Sequence, residues 1–183
     1  MTDTVVAGAA TWRRGLRRAL VAAPVVAVAA ATLGYLSMRG SQGGTADAIT
    51  SSATFTQILA RNVPAALLLF SGVATAGSST LVALLLLGGY VGATFATAAT
   101  AVGTLSAFGS IASYAPLELT ALLLAAVGGL LPAATVIGRP EAVRRRDAYA
   151  AALSPSLGLL LLSIAMLAVA AAVEALVIHG RTP

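Results

Sequence analysis

Between Thr80 and Ile137 the only charged side chain is Glu118. A carboxylate in so apolar a stretch can relay a proton, contact a substrate or dock a partner. It can also be structural, because it stands two residues past Pro116, where a helix-start carboxylate meets the positive end of the helix dipole. Three other polar residues sit at a similar depth from the ends of apolar runs: Arg61 and Asn62 near the start of one, and Glu174 near the end of another. Tyr114 lies just ahead of Glu118. A charge at the centre of a bilayer costs about 2.5–3.5 kcal/mol on insertion scales, so such groups face protein or water and find partners. The matched depths group Arg61, Asn62, Tyr114, Glu118 and Glu174 as one outer-leaflet polar cluster, with Arg61 as the expected partner of Glu118. Snorkelling to the interface is the competing account of Arg61 and Glu174.

The rest of the inventory argues against an enzyme. Cysteine is absent, which removes disulfides, thiolate metal sites and cysteine nucleophiles. The single histidine, His179, lies in the tail. No His-Glu-x-x-His metal helix exists, no His-based triad has its base inside an apolar run, and no Gly-rich phosphate loop opens a helix. Glu118 as a lone acid or base would need a second group, and Tyr114, with a pKa ordinarily near ~10, serves poorly. No catalytic residue, cofactor or metal is therefore expected.

The elements that position these residues are membrane helices. Mean hydropathy is +0.94, and 58% of residues are hydrophobic against 9% charged, where soluble domains carry about 25% charged residues. A helix needs about 20 apolar residues to cross a hydrocarbon core roughly 30 Å thick. The pattern predicts an all-α polytopic transmembrane bundle of about five spans. Residues 1–18 form a basic leader and 19–38 the first membrane helix, read as a retained anchor; a cleaved signal is the alternative, since Arg13, Arg14 and Arg17 echo a twin-arginine motif. A Gly- and Ser-rich loop with Asp47 occupies 40–52. Residues 54–137 form a core of three membrane helices, at 54–76 with a bend expected at Pro64, at 80–102, and at 116–137 with a kink expected at Pro132. The short turn 77–79 makes the first two of these an antiparallel hairpin. Residues 103–113 are too short to span and too apolar for an ordinary loop, which reads as an interfacial or re-entrant piece. A basic loop at 138–152 precedes a fifth membrane helix and short tail within 153–183.

All eleven basic residues are Arg and the net charge is +5, yet they flank apolar runs without interleaved aromatics, so topology explains them and no nucleic acid is expected. Four arginines lie in the leader and four between spans four and five, against Arg39, Arg61 and Arg181 on the other side. The positive-inside rule then puts the amino terminus in the cytoplasm and the carboxyl terminus outside.

Small residues at helical spacing let membrane helices approach closely. Gly72 on the second span, Gly88 and Gly92 on the third, and Gly128 and Gly129 on the fourth are the expected packing positions, with Arg61 and Glu118 on the small-residue faces of their own helices. Such stripes either hold a monomeric bundle together or form a homo-oligomer interface.

Residues 55–129 resemble the stage II sporulation protein M family of bacterial membrane proteins. Ile58-Leu59 with Asn62 matches the start of one family helix; Gly72, Gly77, Thr80-Leu81, Gly89 and Gly92 match its Gly-punctuated helices; and Glu118, Ala121, Leu124 and Gly128 match the end of a His-Gly-x-x-Glu element. Tyr114 and Ala115 stand in place of the His-Gly pair, and Gly88 in place of a family Asn. The resemblance implies a non-catalytic accessory or scaffold subunit of a complex in the bacterial cytoplasmic membrane, for cell-wall enzymes or for maturation or export of a secreted peptide. It implies a protein partner beside the lipid bilayer. A small transporter or channel component, or a membrane-embedded half-enzyme using Glu118, are the alternatives.

Overall fold

The computed structural model describes residues 2–39 and 55–181, with side chains over 11–39 and 55–176. The loop expected at 40–52 lies outside the described residues, as do the side chains of His179 and Arg181. The elements are α1 Thr2–Met38, α2 Phe55–Phe70 continued by a 3-10 turn Ser71–Val73, α3 Ser78–Val102, α4 Thr104–Ile111, α5 Ala115–Ile137 and α6 Arg145–Arg181.

The described residues contain helices and no strand. Four helices, α1, α3, α5 and α6, are long and apolar enough to cross a membrane. Helix α2 is shorter, but its 16 residues and three-residue 3-10 extension together rise about 30 Å, a length consistent with a fifth span. Both α1 and α6 have 37 residues, about 55 Å, and so overshoot the hydrocarbon core. Helix α1 begins well ahead of residue 19: the leader carries four Arg and three Ala, good helix formers, and no proline interrupts it. Helix α6 starts ten residues before Pro155, and Asp147 in its first turn suits the helix dipole there. Pro24, Pro64, Pro132 and Pro155 all lie inside helices, which membrane helices tolerate when neighbours satisfy the freed carbonyls.

Helix α5 is the axis. From Ala125 to Pro132 every residue is buried, the signature of a helix that is apolar on all sides. It packs on α6, α1 and α2, while α3 rests chiefly on α1. Helix α6 runs antiparallel to α5: Ser163 Oγ donates to the Ala121 carbonyl at 2.6 Å, and seven residues along each helix, Ser156 lies over Gly128. Helix α1 is also antiparallel to α5, with Gly15 against Thr135 at one end and Ala27 sharing a crevice with Leu123 nearer the other. It runs parallel to α3, since Ala27 lies against Gly88 and Ala31 against Gly92.

One end of the bundle thus gathers Arg18, the turn Ala76-Gly77 and Gly138, with Arg18 lying over Gly138. At that end the Tyr149 hydroxyl donates to the Val73 carbonyl, tying α6 to the 3-10 turn. Arg139 closes α5 through bonds to the carbonyls of Val136 at 3.0 Å and Val143 at 3.1 Å. The two arginine clusters of the chain therefore share this arginine-bearing end. The opposite end carries the starts of α2 and α5 and the short helix α4, which packs on α3 through buried Ala107 while Leu105 and Phe108 are exposed. Val25, Leu33, Leu86, Leu161 and Val169 point outward, an apolar coat that suits a lipid environment.

Candidate functional site

At the end opposite the two arginine clusters, α5 opens on Tyr114 and Pro116, and the amide of Glu118 bonds back to the Tyr114 carbonyl at 3.2 Å. That geometry sets the Glu118 carboxylate in the first helical turn. Asn62, in the second turn of α2, donates from Nδ2 to Glu118 Oε1 at 2.5 Å. An ionised carboxylate only accepts, so the amide presents its NH2 group. Both side chains are half-buried, and Glu174 near the end of α6, also half-buried, lies within electrostatic reach of Glu118 and Arg61. Arg61 is exposed and Tyr114 half-buried at the start of α5.

The hydrogen bond to Glu118 thus comes from the residue after Arg61, and the reason is the face that α2 presents. Its buried residues are Ile58, Ala66 and Leu69, and Asn62 belongs to that stripe at helical spacing. Arg61 lies about 100° round the helix. The small-residue face that the sequence assigns to Arg61 and Gly72 is interrupted after Phe70, where α2 tightens into a 3-10 turn of three residues per turn, and Gly72 faces Thr80 and Gly129.

About two turns further along α2 from Asn62, Thr80 Oγ1 donates to the Leu69 carbonyl at 2.5 Å. Thr80 is fully buried. Gly72 and Gly129 both back onto this threonine, and a Cβ on Gly72 would also come within 2.8 Å of the Gly129 carbonyl. Three segments therefore meet at backbone distance around one hydroxyl. Gly128 faces the Ser156 carbonyl and the Phe70 ring. On α3, Gly88 lies against Ala27 and Ala30, and Gly92 against Ala31, so this stripe is covered by α1.

Sequence reasoning missed the complement of that stripe. Gly34 abuts Gly89, and Gly15 abuts Thr135. Ala27, Ala30, Ala31 and Gly34 recur at spacings of three and four, which was the available signal. The hydroxyls of Thr80, Ser163 and Tyr149 had none, since each serves a carbonyl on another segment.

The cluster gathers a carboxylate held by an amide, a second half-buried carboxylate and an exposed guanidinium. No group of three His, Cys, Asp or Glu among the described residues is close enough to bind a metal ion. Among known proteins, the family model for stage II sporulation protein M matches residues 20–177, from the first span to the last. No curated protein and no solved structure matches.

Proposed function

We propose, for a chain that belongs to the stage II sporulation protein M family, a non-catalytic role as an accessory or scaffold subunit of a bacterial membrane complex. The observation that carries it is the bond from Asn62 to Glu118. It engages the one carboxylate of the central stretch in joining two helices, and leaves the exposed Arg61 beside Glu174 as a polar patch on an otherwise apolar bundle. A guanidinium at such a site offers paired donors to a carboxylate of another subunit, and charge-assisted bonds of this kind carry specificity.

In this reading the arginine-bearing end faces the cytoplasm, in keeping with the positive-inside rule, and the patch faces the outside of the cytoplasmic membrane. A partner there would be a cell-wall enzyme or a component that matures or exports a secreted peptide. The bundle acts as a monomer in such a complex, its glycine faces being covered from within the chain. A photo-crosslinking side chain at Ala60, an exposed neighbour of Arg61 that leaves the guanidinium in place, is the test. It should yield a protein adduct that the same side chain at Leu86, on the lipid-facing surface, does not. Equal adducts at both positions, or none at Ala60, would remove the proposal.

A further inference from the structure

We infer that the groove where α1, α3 and α5 meet at the arginine-bearing end is a binding site for one anionic phospholipid, its acyl chain in the groove and its phosphate on Arg18. The groove has a volume of ≈270 Å³. Ala19, Gly77 and Leu130 form its buried floor, and Ala22, Leu81 and Ile137 its exposed rim. The space exists because α1 and α5 present alanines here and because the turn between the 3-10 segment and α3 is bare. Gly77 has φ +90°, and even a Cβ there would stand 3.2 Å from Leu130. In a membrane this depth is filled by hydrocarbon, since a dry void forfeits dispersion contacts along its whole lining. An acyl chain is thus the natural occupant.

The headgroup is specified by charge. Arg18 lines the groove, is exposed, and lies over Gly138 at the level where α5 ends. Among the described residues, no hydrogen bond or ion pair occupies its guanidinium. Arg139, next to Gly138, is different: its Nε and Nη1 already donate to the carbonyls of Val143 and Val136. Arg14, one helical turn before Arg18 on the same face, adds a second exposed cation. A guanidinium matches a phosphate with paired donors, and basic pockets between membrane helices bind lipid phosphates in this way. The site does not depend on which leaflet the groove meets.

Native mass spectrometry of the full chain, released from micelles holding phosphatidylglycerol and phosphatidylcholine in equal amounts, tests the site. The wild type should retain one phosphatidylglycerol in preference to phosphatidylcholine. Arg18→Gln should lose it, whereas Arg146→Gln, which removes an exposed arginine outside the groove, should keep it. Ala22→Phe fills the groove from an exposed position and should also lose the lipid; Leu81→Trp on the opposite rim is the second such variant if the first is poorly folded. Equal losses for Arg18→Gln and Arg146→Gln would show diffuse attraction and overturn the site. So would retention by the groove-filled variants, or thermal protection by inorganic phosphate equal to that by phosphatidylglycerol.

Discussion

Asn62 and Glu118, 56 residues apart in sequence, are joined by a bond of 2.5 Å that fixes the second turn of α2 to the first turn of α5. If this bond holds the two helices in register, the two residues are energetically coupled. A double-mutant cycle with Asn62→Ala and Glu118→Gln, followed by thermal unfolding in detergent, should give a coupling of about 0.5–3 kcal/mol, the range for contacting residues. The same cycle with Arg61→Ala in place of Asn62→Ala should be nearer additive.

Replacing Gly92 by Leu should destabilise the bundle by about 1–3 kcal/mol, the usual range for overpacking. A side chain there would be driven into the Ala31 backbone of α1. Gly89 on the same helix makes the contrast, since a Cβ at that position meets nothing within 4 Å. Gly89→Ala should therefore stabilise, by up to about 1 kcal/mol from helix propensity. Melting curves of the two variants, compared side by side, check the orientation of α3.

Thr80→Val keeps the shape of the side chain and removes the donor to the Leu69 carbonyl. Loss of one intramolecular hydrogen bond costs about 0.5–1.5 kcal/mol, so the melting temperature should fall. Thr94→Val should be close to neutral, because that hydroxyl is exposed and bonds only within its own helix.

Much of this architecture is written in the sequence, because hydropathy and arginine placement are signals that a single span carries alone. The all-helical membrane fold, the antiparallel hairpin of α2 and α3, and the family all follow from such local patterns. What was not legible depends on relations between segments. The choice between Arg61 and Asn62 turned on a one-residue rotation of α2, and Ala65 and Gly72 suggested a face that the 3-10 turn after Phe70 redirects. The lengths of α1 and α6 were understated because hydropathy marks where a helix is apolar, not where it stops. Tyr149 and Thr80 could not be singled out, since a hydroxyl that serves a distant carbonyl looks in sequence like any other.

The shared position of Arg18 and Gly138 at one end predicts topology. Reporter fusions after Gly77 and Asp147 should both give a cytoplasmic signal, and fusions after Leu36, Gly109 and Pro183 an external one. A cytoplasmic signal at Pro183 would contradict the orientation taken from the arginine bias.

The role as an accessory subunit is tested most directly by the size of the assembly that the chain enters in its own membrane. Membranes solubilised in mild detergent and resolved by native electrophoresis should show the wild-type chain in a complex larger than itself. Arg61→Glu reverses an exposed charge of the outer patch without removing a packing contact, so it should release the chain to its free size; because it also sets a third carboxylate near Glu118 and Glu174, a modest fall in melting temperature accompanies release while the chain stays folded. Glu118→Gln should weaken the same assembly. A complex that survives Arg61→Glu intact, in a normally folded chain, would contradict the proposal that this patch holds a partner.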